Sequence, residues 1–142
     1  MQRKRRSKWW LLPALLLGAY LVYLPARAAW LERQHTALFD RVRAAGGEVE
    51  VQLRGRRWPQ KPGPVVRVVL NGRSVDDALV RDLAAVSDLE DIELAETAIT
   101  DAALKHLAGC GNLVYLRLDD TAITDEGLRS LAGMPHLVSL YL

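Results

Sequence analysis

The chain has 142 residues, half of them hydrophobic and a quarter charged, with a formal net charge of +2. This composition excludes a chain that is disordered throughout, and it suffices for one packed domain but not for two large ones. A single cysteine excludes an internal disulfide and a zinc site built from cysteines. The charge is uneven: residues 1–8 have five basic side chains, residues 27–73 have ten basic against four acidic, and residues 74–142 have four against thirteen.

Residues 9–26 carry no charge and follow a strongly basic start. As a helix they extend about 27 Å, near the lower limit for spanning a hydrocarbon core, and aromatic residues stand at both ends. We predict a transmembrane helix or signal anchor over residues 9–26, preceded by a basic cytoplasmic tail over residues 1–8. The positive-inside tendency then places the rest of this single-pass membrane protein outside the cytoplasm.

A cleaved signal peptide is the alternative for the same segment. Ala26-Arg27-Ala28 has the small-x-small spacing of a signal peptidase site. Cleavage near Ala28 gives a secreted protein with the same domain, so the two interpretations differ in localisation only.

The segment 27–47 has apolar residues at helical spacing, at Leu31, Leu38, Val42 and Ala45, and it ends in two glycines. We predict an amphipathic helix there, since glycine accepts the left-handed conformation of a helix C-cap. The alternation that follows, EVEVQL, predicts a strand over Glu48–Leu53.

The remainder of segment 48–64 is rich in proline, glycine and basic residues and is predicted to be a loop. Cations interleaved with an aromatic residue, here Trp58, are suited to binding anionic lipid or nucleic acid. A solvated loop whose Trp58 packs over the end of the domain fits the same residues, and an exported domain would not meet nucleic acid. The cations concerned are Arg54, Arg56, Arg57 and Lys61.

A repeat of 24 residues fills segment 65–142. Residues 89–112 and 113–136 are identical at eleven of 24 positions, residues 65–88 keep the apolar pattern, and residues 137–142 open a partial fourth unit. The shared pattern is L-x-x-L-x-L-x-x-T-x-I-T-D-x-x-L-x-x-L. It predicts an α/β leucine-rich-repeat solenoid, in which a short parallel sheet carries return helices.

Each column of the repeat has a physical role. The leucines of LxxLxL point inward from a strand, and Thr100 and Thr124 cap short helices that begin with an aspartate. Thr97 and Thr121 are expected to be buried and to hydrogen-bond loop backbone. Arg73 replaces that threonine in the first unit, which is therefore predicted to be a degenerate capping repeat.

The T-x-I-T-D-x-x-L-x-x-L-x-G core resembles the repeats of short bacterial transmembrane leucine-rich-repeat proteins. It is more distantly similar to the repeats of F-box adaptors, but no F-box-like segment precedes it, which argues against a ubiquitin-ligase role. The basic start, hydrophobic helix and charged helix that come before the repeats are similar to the same bacterial family. This resemblance implies non-enzymatic protein–protein interaction with an unidentified partner.

No arrangement for catalysis, cofactor or metal binding is recognised in the sequence. The three histidines do not lie at metal-ligand spacing, and neither a phosphate loop nor a serine elbow occurs. Cys110 aligns with Met134 and Val86 of the other units, so we expect an apolar core residue instead of a reactive thiol. Asp76-Asp77 and Asp119-Asp120 are expected to be solvated or capping acids.

Outward side chains of the strands are expected to form one concave surface, because side chains alternate between faces at period two. Arg67 should lie beside Asp91, and Glu93 beside Arg117. We predict that a partner protein binds there, and we place the binding hot spot at the tyrosines and Arg117. The candidate residues are Arg67, Asp91, Glu93, Tyr115, Arg117, Asp119 and Tyr141.

The alternative function is a passive structural or self-assembly element. Residues 137–142 form a last strand with no return helix to cover its leucines, and exposed edge strands pair with other chains. Self-association through this edge strand is therefore predicted as well.

Overall fold

A computed structural model describes residues 11–54 and 63–142 of the chain. The predicted basic tail, Trp9, Trp10 and most of the predicted loop, including Trp58, lie outside these ranges. The described residues form a mixed α/β fold with five helices and one five-stranded sheet. In chain order the elements are α1 (Leu11–Gln34), α2 (Thr36–Ala44), β1 (Glu48–Arg54), β2 (Gly63–Val69), α3 (Asp77–Ala84), β3 (Leu89–Glu93), α4 (Asp101–Leu107), β4 (Tyr115–Arg117), α5 (Asp125–Arg129) and β5 (Ser139–Tyr141).

The strands lie in the sheet in chain order, from β1 to β5. Strand β1 pairs antiparallel with β2, which begins opposite the end of β1, where Gly63 faces Arg54. Strands β2 to β5 are parallel because a helix returns the chain between consecutive strands. The predicted strand Glu48–Leu53 is confirmed, and it covers the first edge of the parallel strands.

All five helices contribute to or flank one apolar core on a single face of the sheet. Phe39 and Val42 of α2 are fully buried in the same cluster as Leu83 of α3 and Leu104 of α4. The inward residues of β3 and β4, and those just before and after these strands, are at most 2% exposed. Burying each such side chain contributes about 1.5–3 kcal/mol to the free energy of folding relative to leaving it exposed. These residues are Leu89, Ile92, Leu94, Leu113, Leu116 and Leu118.

The boundary between the two N-terminal helices does not lie between residues 26 and 27, where it was predicted. Helix α1 runs without a break to Gln34, and the chain turns at His35 before α2 begins. At this break the Thr36 hydroxyl donates to the Glu32 carbonyl at 2.7 Å, a kind of bond that often bends helices. The predicted single amphipathic helix is therefore divided between the end of α1 and α2.

The end of α1 belongs to the packed domain. Leu31 is 1% exposed, and the Arg27 guanidinium lies 3.2 Å from the Asp88 carboxylate, just before β3. Helix α2 is tied to α3 in the same way, since Arg41 lies 2.6 Å from Asp82. Both helices thus cap the first repeat unit.

Among residues 11–54 and 63–142, no helix combines the length and the apolar character needed to cross a membrane.

A left-handed residue follows β2, β3 and β4 at the same point of the repeat. Gly72, Glu96 and Asp120 have φ of +62°, +57° and +53°. This conformation turns the chain sharply, so that the next threonine hydroxyl reaches back to the strand end: Thr97 donates to the Leu94 carbonyl at 2.6 Å, and Thr121 makes the equivalent bond. The predicted hydrogen bond to backbone is confirmed for both threonines, whereas the predicted burial is confirmed for Thr97 and not for Thr121, which is half-buried.

Candidate functional site: the open face of the sheet

The sheet face opposite the helices is a surface built from side chains of several repeat units. We call it the open face and define it by the outward residues of the five strands. Period-two alternation puts them there while the leucines of the same strands point into the core. The open face consists of Glu48, Glu50, Arg67, Val69, Asp91, Glu93, Tyr115, Arg117, Ser139 and Tyr141, with Asn71 and Asp119 at the strand ends.

Glu93 lies at the centre of a charged network on this face. Its carboxylate accepts hydrogen bonds from Arg67 at 2.5 Å and from the Asn71 amide at 2.9 Å. Arg117 approaches the same carboxylate at 3.8 Å from the next strand. Only 7% of Glu93 is exposed, so this predicted partner-binding residue positions its neighbours and offers almost no surface of its own.

The ion pairs include those expected from strand register and one diagonal pair besides. Arg67 does lie opposite Asp91, and Glu93 opposite Arg117, as predicted. The guanidinium of Arg67 nevertheless bonds Glu93, two residues along from its opposite neighbour. A long arginine side chain reaches the diagonal position, where a second donor, Asn71, holds the carboxylate in place.

The side chain of Arg117 is held mainly by a residue close to it in sequence, Asp119. Its Nε donates to the Asp119 carboxylate at 2.6 Å, and both side chains stay partly exposed. A guanidinium fixed by Asp119 and Glu93 keeps some of its five N–H donors directed to the surface. This arrangement orders Arg117 before any partner arrives, which reduces the entropy cost of using it in an interface.

The electrostatics of the network keep Glu93 ionised. Burial raises the pKa of Glu93. Hydrogen bonds from Arg67 and Asn71 and the charges of Arg67 and Arg117 together lower this pKa by more than burial raises it, so the pKa lies below its ordinary value. The pKa of Tyr115 is raised by burial first and then by the charges of Glu93 and Tyr141. At neutral pH Glu93 is therefore an ionised carboxylate that accepts hydrogen bonds, and Tyr115 keeps a protonated hydroxyl that can donate one.

Tyr115 and Tyr141 form an aromatic pair at the β4–β5 end of the open face. Their ring centroids are 5.3 Å apart and the planes are inclined by 38°, a separation at which aromatic rings attract each other. Tyr115 is half-buried and Tyr141 is 49% exposed. The structure thus brings together the two predicted hot-spot tyrosines, although Tyr141 lies directly opposite Arg117 rather than Tyr115.

The sequence analysis missed Glu48 and Glu50, which extend the open face onto β1. Both are exposed, and Glu50 interacts with Arg67 only through longer-range electrostatic attraction, in contrast to the carboxylates of Glu93 and Asp119, which form close ion pairs. Together with Arg67, Val69 and Glu93 they line a cavity of about 300 Å³. The signal was available, because the same alternation that points Val49 and Val51 inward points the glutamates outward.

Outside the open face, the described residues offer neither a metal site nor a reactive thiol. No group of three His, Cys, Asp or Glu side chains within residues 11–54 and 63–142 is arranged to hold a metal ion. Cys110 is buried, as predicted, and its thiol donates weakly to the Ala84 carbonyl at 3.4 Å. Burial raises the pKa of this thiol to about 11, which keeps it protonated and unreactive at neutral pH.

Neither a protein-family profile nor a curated protein matches the chain.

Proposed function

We propose that the chain is a leucine-rich-repeat module that binds a partner protein through the open face and performs no catalysis. The solenoid interpretation is supported by the 24-residue sequence period together with the parallel strands, each followed by a helix in the first three units. The resemblance to short bacterial transmembrane leucine-rich-repeat proteins belongs to the same proposal.

The observation that carries the binding function is the tyrosine pair, half-buried at Tyr115 and exposed at Tyr141, beside a pre-ordered arginine. Tyrosine and arginine are the residue types in which interfaces concentrate their binding energy. Here Tyr115 and Tyr141 are in ring contact, and Arg117 is fixed by Asp119. Rigid anchors of this kind bind with a small loss of side-chain entropy.

Charge indicates the chemistry of the partner. Arg67 and Arg117 form close ion pairs with Glu93 and Asp119, whereas Glu48 and Glu50 are exposed and interact with the network only through the longer-range attraction of Glu50 to Arg67. The face therefore favours a protein segment with basic side chains near β1 and apolar or aromatic ones near β5. Binding should weaken as salt screens the glutamates.

The test uses photo-crosslinking of the full chain in its source cells. A crosslinking side chain at Ser139, which lies on the open face opposite Tyr115, should capture the partner. The same side chain at Lys105, exposed on α4, is the matched control and should not. With the captured partner in hand, Tyr115→Ala combined with Tyr141→Ala should weaken binding by about 2 kcal/mol or more, whereas Lys105→Ala should not.

Two results would contradict the proposal. One is capture from Lys105 but not from Ser139, which would move the interface to the helices. The other is unchanged affinity in the double tyrosine variant, provided that circular dichroism shows it to be folded.

Membrane attachment through residues 9–26 is a further part of the proposal and comes from the sequence. Because α1 continues to Gln34 and buries Leu31, such an anchor would join the repeats without a flexible linker. Cleavage near Ala28 would instead remove Arg27 and its ion pair with Asp88. Membrane fractionation with protease accessibility in spheroplasts separates the two, since the cleaved form appears as a soluble product that begins near Ala29.

A further inference from the structure

Helix α1 enters the packed domain at one edge of the sheet. Val22 and Tyr23 are 70% and 55% exposed, whereas Leu31, later in the same helix, is 1% exposed. Between them the Arg27 guanidinium donates to the Tyr23 hydroxyl and to the Asp88 carboxylate, each at 3.2 Å. Asp88 comes just before β3, so α1 joins the domain where β3 begins.

This is the edge at which the parallel strands start. Strand β2 begins at Gly63, and the Val66 N–H donates to the Asp88 carbonyl at 2.8 Å. Asn112 takes the place of Asp88 in the next unit, and its side-chain amide donates to the Ser87 carbonyl at 2.7 Å. We call this edge, defined by Ser87, Asp88 and Asn112, the strand-start edge.

The distance along α1 brings the strand-start edge to a lipid surface. This step rests on the membrane attachment through residues 9–26 proposed above. Beyond Ala26, the end of that segment, Trp30 lies about 6 Å and Leu31 about 8 Å further along the helix. The headgroup layer of one leaflet is about 5–7 Å thick. The packed domain therefore begins where the headgroups end, without space for a gap.

Trp30 is exposed at the depth where the headgroups would lie. It is 54% exposed and shares the outer side of α1 with Ala26, Ala29 and Arg33, which are also exposed. Among the large apolar side chains that the structure describes as exposed, those before residue 138 all lie on α1. Tryptophan is enriched at headgroup depth, and the charged end of an arginine reaches from there toward the phosphates.

The strand-start edge carries little negative charge. The turns before β3, β4 and β5 contain one acidic side chain, Asp88, and Arg27 pairs with it at 3.2 Å. Asn112 and His136 take its place in the later two turns. An anionic surface would thus meet no uncompensated carboxylate in these turns, which are residues 85–88, 109–112 and 133–136.

The sequence that joins this edge is basic. Strand β1 ends at Arg54, opposite Gly63, so segment 55–62 leaves from the strand-start edge and returns to it. This segment lies outside the described residues and is not part of the proposed surface. It has three basic side chains and no acidic one, and such charge attracts anionic lipid.

The opposite edge of the sheet, where the helices begin, is acidic. Asp77 of α3 accepts a hydrogen bond from the Thr100 hydroxyl of the next unit at 2.6 Å. Asp101 of α4 accepts the same bond from Thr124 at 2.7 Å. An anionic surface repels this edge, so charge and the direction of α1 favour the same orientation. Further acidic residues of this edge are Glu96, Asp119, Asp120, Asp125 and Glu126.

We infer that the strand-start edge, together with Trp30 on α1, rests on the headgroups of an anionic lipid bilayer. The Trp30 ring lies at headgroup depth, and the acidic edge points away from the membrane. The open face, from which the strands run away from the lipid, stays accessible to a partner protein. The lipid-contacting surface is therefore distinct from the partner-binding one.

The first test follows the native Trp30 in the full chain. Trp9→Phe, Trp10→Phe and Trp58→Phe leave it as the only tryptophan, and the chain is placed in vesicles of phosphatidylcholine and phosphatidylglycerol. Lipids that carry a nitroxide on the headgroup should quench Trp30 more strongly than lipids with the nitroxide deep in the acyl chain. Protection of Trp30 from aqueous iodide without quenching by either lipid would overturn the inference, because protein would then cover the ring.

The second test compares the two edges of the sheet. In a chain that also carries Trp30→Phe, a tryptophan is introduced by Ser87→Trp at the strand-start edge or by Glu126→Trp at the acidic edge. Both positions are exposed, so Glu126→Trp is the matched control. Headgroup nitroxides should quench the tryptophan of Ser87→Trp and not that of Glu126→Trp. The quenching should fall when salt is added or phosphatidylglycerol is omitted.

Vesicle flotation after alkaline carbonate washing reports membrane attachment separately. A chain that fails to float would refute the attachment, and the inference with it. A chain that floats, with equal quenching at the two edges, would overturn the inference alone. Equal quenching of Ser87→Trp with and without phosphatidylglycerol would overturn the preference for anionic lipid.

Discussion

Leucine-to-alanine replacement at equivalent repeat positions, Leu118 and Leu142, measures how much a following unit contributes to the core. Leu118 is 2% exposed, and truncating such a residue costs about 2–5 kcal/mol because a cavity remains. Leu142 is 65% exposed, so it retains about a third of the transfer free energy of a buried leucine, which is about 0.5–1 kcal/mol, and it encloses no cavity. Leu118→Ala should therefore cost about 2 kcal/mol more than Leu142→Ala.

Urea denaturation followed by far-ultraviolet circular dichroism provides the two free energies of unfolding. Equal denaturant slopes for the two variants and the wild type would establish that one cooperative transition is compared. The measurement should be made at low protein concentration, so that association does not cover Leu142. Equal costs for the two variants would refute the argument, because they would mean that Leu142 is buried in solution.

Three further outcomes are expected. Gly127→Ala should destabilise the fold although alanine favours helices, because its Cβ would stand 2.2 Å from the Asp101 carboxylate and displace it from Thr124; Gly133→Ala, with no atom within 4 Å, is the control, and thermal melts compare the two. Glu93 has a lowered pKa in the folded state, so its stabilising contribution is present above its ordinary pKa of about 4.5 and is lost as the pH falls through the lower folded value. Between pH 6 and pH 3 the unfolding free energy of the wild type should thus fall more than that of Glu93→Gln, and parallel titrations would contradict this assignment. The Cys110 thiol, with a pKa of about 11, should react with iodoacetamide at pH 8 only after denaturant is added; rapid labelling of the folded chain would show that it is accessible.

The repeat columns could be predicted because each depends on local spacing. A period of 24 residues aligned the leucines of one unit with those of the next, and the structure buries Leu94 and Leu118 as that alignment requires. Thr97 and Cys110 followed from the same alignment, one as a buried hydrogen-bonding residue and the other as a small core residue. Alternation in EVEVQL likewise predicted β1.

The helix boundary near residue 26 could not be predicted from composition. Charge begins at Arg27, but helical hydrogen bonds depend on the backbone and not on polarity, so α1 continues through this change. The turn at His35 is accompanied by a hydrogen bond from the Thr36 hydroxyl to the Glu32 carbonyl. Neither feature alters the apolar periodicity on which the prediction relied.

By itself the sequence determined which face of the sheet each column of side chains points to, because periods of two and of 24 residues specify that direction. Only the tertiary structure decided which charges meet. Arg67 donates to the diagonal Glu93, Asp101 binds Thr124 of the next unit, and Glu48 and Glu50 join the face of the parallel strands. The physical reason is that a long side chain can reach several acceptors on neighbouring strands, and the choice among them depends on three-dimensional distances and competing donors that no spacing along the chain contains.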